Sequence, residues 1–297
     1  MKLSSAAVAS AILSFVSAAP APAPGPAPEY NHTLEARGDA PFGIKKGIAY
    51  ERVRPDITNS FSRDGSATWS YNWGAQPNAP KFQQIPMYWG ANGRGDAGGV
   101  HRMIDQGARW VMGYNEPDML VDHGGSFTSP DEARRTWGNE MFQFADRGAR
   151  LICPGISSHN TDHSVHHGGP SGLVWLRRFI NGNPGAFRCD AQALHWYGNE
   201  HESTRQQADA FMQYVRDAHN EVNNIFGRDM ELWITEFSSE PKSDVNRFAE
   251  FLDIVMPFLD HEGYVGRYAP FWAETMAETQ APYRLNRAGE VFVNKRP

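Results

Sequence analysis

Basic clusters are missing from this sequence, whose 297 residues carry a formal net charge of -6 and include no basic run and no stripe of lysine and arginine. This argues against nucleic acid or an anionic membrane as a partner, and we predict a neutral ligand. The first strand-like segment, "GIAYERVRPD", is not followed by a Gly-rich turn, which argues against a doubly wound nucleotide-binding sheet. No internal repeat is visible, so a solenoid is not expected.

Long hydrophobic runs are also missing. The longest apolar stretch, "AAVASAILSFVSAA", is too short for a membrane span and ends in small residues, so residues 1–19 are predicted to be a secretory signal peptide. Residues 20–40 alternate proline with small residues and are predicted to be a linker or pro-segment. Asn31 begins a weak N-glycosylation pattern, "NHT". We therefore expect a secreted protein, extracellular or in a cell wall, with a single folded domain over 41–297.

Cysteine is scarce, with only Cys153 and Cys189 in the whole chain. Export would permit a disulfide between them, and two buried thiols are an equally good interpretation. Neither cysteine has the neighbouring Cys/His spacing of a zinc site. We predict no metal and no cofactor.

After residue 40 the chain alternates short apolar runs with longer segments of helical periodicity. Eight strands are predicted, at 46–51, 68–74, 84–90, 109–116, 150–157, 190–198, 231–237 and 266–274. The clearest helices are predicted at 129–147, 171–181, 203–226 and 243–260. Strands that alternate with helices pair in parallel through crossover connections, and eight such units in about 250 residues fit a (β/α)₈ TIM barrel. We expect an α/β protein of this architecture, and a monomer.

Polar and aromatic side chains gather where the predicted strands end, which is where active sites of such barrels form. Glu116 ends the fourth strand in "GYNEPD", and Glu236 ends the seventh in "WITEF". Two carboxylates across one cleft are the requirement for glycoside hydrolysis. The alternative is a structural ion pair with a nearby arginine. Asp118 is better explained as a loop-capping residue.

The remaining candidates are substrate-binding residues. Four tryptophans at or near strand ends are predicted to stack on sugar rather than fill the core, whereas Trp110 and Trp233, in mid-strand, are predicted to be core residues. His195 and Tyr197 share strand parity, although a satisfied core histidine remains an alternative. A metal site formed by histidines 159, 163, 166 and 167 is less expected than a solvated or substrate-rimming loop. The candidates are Tyr50, Asn72, Trp73, Trp89, Asn115, His195, Trp196, Tyr197 and Trp272.

Six stretches together resemble one family. "GIAYE", "YNWG", "PMYWG", "GYNEPD", "ALHWYG" and "WITEFS" occur in the order found in glycoside hydrolase family 128 of clan A, the glucan endo-1,3-β-glucosidases. The resemblance implies that Glu116 is the acid/base, that Glu236 is the nucleophile, and that Asn115 bonds the sugar 2-hydroxyl. It also implies cleft positions for His195 and Tyr197, and a non-proline cis peptide at Trp272–Ala273. The His-rich segment 157–169 departs from the family pattern.

The sequence therefore predicts a secreted, retaining endo-β-1,3-glucanase whose partner is a β-1,3-glucan polysaccharide or oligosaccharide. The linkage rests on the resemblance alone, because sequence does not show the curvature of a cleft. A clan A enzyme acting on β-1,4-mannan or β-1,4-glucan is one alternative. A wall protein that binds glucan without cutting it is the other.

Overall fold

The computed structural model describes residues 45–63 and 66–295. The predicted signal peptide, the linker and Asn31 lie outside the described residues. No helix within the described ranges is both long enough and apolar enough to cross a membrane.

In the part of the chain that the structure describes, eight parallel strands form two sheets. The strands are β1 (Gly47–Ala49), β2 (Trp69–Tyr71), β3 (Gln83–Gln84), β4 (Trp110–Met112), β5 (Arg150–Ile156), β6 (Cys189–Tyr197), β7 (Glu231–Ser238) and β8 (Val265–Tyr268). The first three strands pair in the order β1-β2-β3, and the other five in the order β4-β5-β6-β7-β8. The predicted number, order and parallel direction of the strands are confirmed.

Single parallel bridges join the edges of the two sheets. Lys46 pairs with Tyr268, and Met87 pairs with Met112, where Tyr88 N–H donates to the Met112 carbonyl at 2.9 Å. Pro86 interrupts the ladder after β3 because proline has no N–H to donate. The predicted third strand is therefore reduced to two residues. The regular ladders form a three-stranded and a curved five-stranded sheet rather than one continuous sheet of eight.

Helices follow most of the strands, and their ends are set by capping residues. Ser129 accepts a hydrogen bond from the Glu132 N–H, and Pro130 occupies the first turn, as the sequence "SPDE" predicts. Ser203 and Gln206 form a capping box. The helices are α1 (Ala97–Asp105), α2 (Pro130–Ala145), α3 (Leu173–Ile180), α4 (Thr204–Phe226), α5 (Val245–His261), α6 (Ala273–Met276) and α7 (Arg287–Asn294).

The apolar core has two parts. One part lies between the strands and the helices and includes Phe211, Phe251 and Leu252. The other contains Trp69, Trp110 and Trp233, with ring centroids of Trp110 and Trp233 4.8 Å apart. Both predicted core tryptophans are buried, which confirms that prediction. The large side chains of the second cluster fill the space that they share between the strands. A cleft can therefore form at the carboxyl ends of the strands.

A disulfide joins Cys153 on β5 to Cys189 on β6, with Cα atoms 5.4 Å apart. Both residues are buried in the core cluster between the strands and the helices. The structure thus selects the disulfide over the two buried thiols that the sequence left equally open.

Removing this bridge is expected to destabilise the fold. The disulfide closes a loop with a sequence separation of 36, for which the chain-entropy argument predicts a loss of about 2–4 kcal/mol in the free energy of unfolding. The Cys153→Ala/Cys189→Ala variant, compared with the parent by denaturant unfolding, measures it. Free thiols titrated in denatured, unreduced parent protein would contradict the bridge itself.

Candidate active site

A cleft of about 460 Å³ lies over the carboxyl ends of the strands. Both predicted catalytic glutamates face it, together with aromatic rings from the ends of β2, β6 and β8. Its lining comprises Trp73, Trp89, Asn115, Glu116, Met119, His123, Gly124, Ser157, Ser158, His159, Tyr197, Glu236, Lys242, Phe271 and Trp272.

Glu116 leaves the end of β4 through a tight backbone turn. Its φ of 39° lies in the left-handed region, which a residue with a side chain adopts only when its surroundings enforce it. The enforcing contacts are backbone hydrogen bonds from Glu116 N–H to the Gly155 carbonyl at 2.8 Å and from Met119 N–H to the Glu116 carbonyl at 3.0 Å. Glu116, which is 8% exposed as a residue, therefore holds its carboxyl group at the cleft.

A bulge in β7 sets the direction of Glu236. Leu194 pairs with Ile234, but the next residue of β6, His195, pairs with Glu236, so Thr235 is an extra residue on β7. Bulges of this kind re-aim the side chains that follow them. Glu236 consequently reaches the cleft directly beside His195.

Two aromatic donors hold the Glu236 carboxylate. Trp73 Nε1–H donates to Oε1 at 2.7 Å, and the Tyr197 hydroxyl donates to Oε2 at 2.6 Å. Both oxygens are thus engaged, and the side chain is almost fully buried. Two hydrogen bonds to the two oxygens fix the orientation of the carboxylate.

His195 connects the two glutamates. Its Nδ1 lies 2.8 Å from Glu116 Oε1 and 3.5 Å from Glu236 Oε1, and its Nε2 lies 2.9 Å from the Thr235 hydroxyl. Gly155 makes room for the ring, because a Cβ at that position would lie 2.8 Å from His195 Nε2. The histidine orients Glu116 rather than filling the core passively.

Burial and charge act in opposite directions on this group. Burial alone would lower the pKa of His195, but the charges of Glu236 and Glu116 and the Glu116 hydrogen bond raise it to about 9. Burial raises the pKa of Glu116, and the His195 hydrogen bond and charge offset part of that increase. The histidine is therefore a cation at neutral pH, and Glu116 holds a proton more readily than an exposed glutamate.

The charged histidine predicts a fall in stability with rising pH. Because the pKa of His195 is about 9 in the folded protein and about 6.5 when unfolded, its contribution is complete below about pH 6.5 and is lost as pH rises through about 9. The loss is on the order of 3 kcal/mol. His195→Gln should flatten this decline in thermal melts at pH 6 and pH 9, whereas the exposed control His201→Gln should not. An unchanged slope in His195→Gln would contradict the assignment.

The two glutamates and His195 form a compact acid–base group. One ligand-type atom of Glu116, His195 and Glu236 can be chosen so that all three atoms lie within 4.8 Å of one another. Within residues 45–63 and 66–295 this is the group of three or more such side chains close enough to hold a metal ion, and the His-rich segment supplies none. Two facing carboxyl groups, one fixed by two aromatic donors and one whose pKa is raised by burial, can perform paired acid and nucleophile chemistry.

Five predicted substrate-binding residues line the cleft: Trp73, Trp89, Asn115, Tyr197 and Trp272. Asn115 donates through Nδ2 to the Gly124 carbonyl at 3.1 Å, while its buried Oδ1 has no hydrogen-bond partner among the described residues. The Trp272 ring stacks on Phe271 with centroids 4.7 Å apart. The non-proline cis peptide is Phe271–Trp272, one bond before the predicted position.

Four predicted binding residues do not line the cleft. His195 is buried and contacts Glu116 instead. Trp196 points to the opposite side of β6 from His195 and Tyr197, and its ring is stacked on Phe251 at 5.7 Å. The prediction of sugar stacking was wrong for this residue because side chains alternate along a strand.

Tyr50 and Asn72 also lie below the cleft, so the prediction that they bind substrate was wrong. Tyr50 is fully buried, and its hydroxyl accepts hydrogen bonds from Asn72 Nδ2 at 3.4 Å and from Asn78 N–H at 2.5 Å. Asn72 Oδ1 accepts from Gly74 N–H at 3.1 Å. Both residues fix the turn after β2, and through it the position of Trp73.

Asp118 has the predicted loop-capping role. It is fully buried and accepts hydrogen bonds from the Ser157 hydroxyl at 2.6 Å and from Gly172 N–H at 2.7 Å. These bonds tie the His-rich segment to the loop after β4. The first residues of that segment line the cleft, whereas Val165 is 95% exposed. The segment is therefore a rim that is partly solvated.

Two cleft residues, Lys242 and Phe271, were not predicted from the sequence. Lys242 Nζ lies 4.2 Å from the Tyr197 ring centroid, and the Phe271 ring packs edge-on against Tyr197 at 5.4 Å. No local pattern marks Lys242, since its neighbours in the cleft are distant in sequence. A second depression of about 330 Å³ shares Trp73 and Trp89 with the cleft and is also bordered by Arg52, Arg94 and Asp96.

A parallel α/β fold with two carboxylates facing each other in an aromatic cleft at the strand ends is the arrangement of a glycoside hydrolase. The chain belongs to the glycosyl hydrolase catalytic core family, whose model matches residues 47–292. No curated protein sequence gives a significant match.

The chain is similar to solved structures of glycoside hydrolase family 128. A curdlan-specific exo-β-1,3-glucanase of subgroup III from Blastomyces gilchristii, in complex with glucose, is similar at 27% identity and a TM-score of 0.71, over 85% of this chain and 99% of that one. A subgroup II endo-β-1,3-glucanase from Sorangium cellulosum has 22% identity and a TM-score of 0.67, over 84% and 98%. A subgroup VII oligosaccharide-binding protein from Trichoderma gamsii has 19% identity and a TM-score of 0.61, over 86% and 94%.

Proposed function

We propose that this protein is a retaining endo-β-1,3-glucanase that cuts β-1,3-glucan by double displacement. The observation that carries the proposal is the pair of buried glutamates, with an oxygen of each within 4.8 Å of the other across the cleft. Retaining enzymes keep their carboxyl groups about 5 Å apart, whereas inverting enzymes leave room for a water molecule between them. The similarity to β-1,3-glucanases supports the substrate class.

Each glutamate then has a defined task. Glu236 attacks the anomeric carbon while Glu116 gives its proton to the departing glycosidic oxygen, and a glycosyl-enzyme ester forms on Glu236. Glu116, now a carboxylate, removes a proton from water, and the hydroxide oxygen displaces Glu236 from the anomeric carbon. The burial that raises the pKa of Glu116 favours the first task. The positive charge of His195 favours the carboxylate needed for the second.

Sugar release tests the activity. The protein should hydrolyse laminarin far faster than mannan or cellulose, with reducing sugar as the measurement. Proton NMR at early times should show the β-anomer first, since double displacement retains configuration. An α-anomer as the first product would overturn the retaining mechanism, and equal activity on mannan would overturn the linkage.

Product length distinguishes endo from exo cleavage. The second depression supports endo cleavage, because it shares Trp73 and Trp89 with the cleft and offers further space beside it for a longer chain. Endo cleavage predicts a ladder of oligosaccharides from laminarin at early times. Glucose alone would favour exo action, as in the Blastomyces relative. Binding without hydrolysis would favour a role like that of the Trichoderma protein, and the presence of both carboxylates argues against it.

The closure of the strands and the location of the protein can also be inferred. We infer a (β/α)₈ barrel, supported by the bridges Lys46–Tyr268 and Met87–Met112 between the two sheets. Secretion to the extracellular space or cell wall is supported by the disulfide, which persists in oxidising compartments. We further infer that the protein acts as a monomer.

A further inference from the structure

The Glu236 carboxylate receives a hydrogen bond from a tyrosine whose ring faces a lysine. Tyr197 donates to Glu236 Oε2 at 2.6 Å. Lys242 Nζ lies 4.2 Å from the centroid of the same ring and 5.3 Å from that of Phe271. A cation over an aromatic face is attracted to the ring and withdraws electron density from it. A phenol polarised in this way is a stronger donor to a carboxylate.

Contacts around Glu240 hold Lys242 in place. Gln207, fully buried, binds the backbone of Glu240 in both directions: its Nε2–H donates to the Glu240 carbonyl at 2.8 Å, and its Oε1 accepts from the Glu240 N–H at 2.8 Å. Arg247 donates to the same carbonyl at 2.8 Å. The Glu240 side chain then accepts from Lys242 N–H at 3.0 Å and lies 3.3 Å from Lys242 Nζ. The ammonium is thereby confined near the Tyr197 ring.

We propose that Lys242 is a positioning residue that acts on the nucleophile through Tyr197. The cation fixes the ring and strengthens its hydroxyl as a donor to Glu236. The benefit is greatest when the glycosyl-enzyme ester breaks, because Glu236 then leaves as a carboxylate and regains its negative charge. Lys242 therefore accelerates turnover, with little effect on the affinity for glucan. This inference rests on the proposed function of Glu236 as nucleophile.

A double-mutant cycle measures this coupling. Lys242→Met keeps the aliphatic stem and should lower kcat on laminarin about tenfold, with KM changed less than about threefold. Tyr197→Phe should lower kcat by about 10 to 100-fold because Glu236 loses a donor. In the Tyr197→Phe background, Lys242→Met should have an effect of less than about twofold, because no hydroxyl remains to be strengthened.

Two further variants separate charge from packing. Lys242→Arg keeps a cation over the ring and should recover kcat to within about threefold of the parent. Lys81→Met, an exposed lysine bonded to the Ser62 hydroxyl away from the cleft, should leave kcat unchanged. Thermal melts establish that each variant folds. If Lys242→Met does not fold, the same cycle is run with Lys242→Gln.

The outcomes distinguish this inference from the function on which it rests. A parent protein without activity on laminarin would overturn the proposed glucanase function. An active parent in which the effects of Lys242→Met and Tyr197→Phe multiply would overturn only the role of Lys242. A rise in KM without a change in kcat, or no recovery with arginine, would also overturn it, since either result would show that the lysine acts on substrate or packing instead.

Discussion

Replacing Glu236 by glutamine is expected to reduce turnover of β-1,3-glucan at least about 10³-fold while leaving glucan affinity within about threefold. Glutamine has nearly the same shape and still accepts through one oxygen, so the hydrogen bond from Tyr197 or Trp73 can persist. The amide cannot form the glycosyl ester, and the double displacement has no first step. Steady-state hydrolysis of laminarin and calorimetric titration with a laminarin oligosaccharide give the two quantities.

A matched control lies on the same strand. Glu231 is at the opposite end of β7, where its Oε1 accepts from Trp233 Nε1 at 2.7 Å, and a glutamine there can still accept that bond. Glu231→Gln should keep nearly full activity. Substantial activity in Glu236→Gln would show that another group is the nucleophile. Loss of glucan affinity in that variant would show that Glu236 contributes mainly to binding.

Replacing Glu116 by glutamine should reduce glucan turnover by at least about 10²-fold, because the departing oxygen no longer receives a proton. The defect should depend on the leaving group. An aryl β-glucoside with an acidic phenol departs without a proton donor, so its first step should continue and the glycosyl-enzyme should accumulate. Mass spectrometry of the intact protein detects that ester, and peptide mapping should place it on Glu236.

The pH dependence provides a second check on Glu116. The parent protein requires Glu116 protonated for the first step, and activity should fall as pH rises through its pKa, which burial raises. The profile of kcat/KM should be bell-shaped, and both limbs belong to the coupled pair of carboxylates. On the aryl glucoside, Glu116→Gln should lose the alkaline limb. An alkaline limb that persists unchanged in this variant would assign the acid to another residue.

The fold was predictable where local patterns decide it. Alternating apolar strands and amphipathic helices predicted all eight strands in order, and the cap at Ser129 predicted the start of α2. The extent of β3 was not predicted well. Its hydrogen bonds depend on which neighbours the chain brings alongside, and Pro86 divides the expected ladder into isolated bonds.

The site was predictable where strand ends decide it, and less so where long-range packing does. Glu116, Glu236 and His195 end strands that converge, which brings them together. The alternation that puts His195 and Tyr197 on one face also puts Trp196 on the other, so that error was avoidable. The extra residue Thr235 arises from strand pairing, and the approach of Lys242 to Tyr197 arises from loop packing. Neither feature produces a periodic pattern in the sequence.

Trp73 links two properties that protein engineers usually vary separately. Its indole N–H donates to a Glu236 oxygen, while the residue lines both the cleft and the second depression. A library that alters this ring to change chain-length preference will also disturb the nucleophile. Selection for new specificity at Trp73 should therefore yield variants with a trade-off between product profile and rate. Trp89 borders both cavities without bonding Glu236, and randomising it should change product length at a smaller loss of turnover.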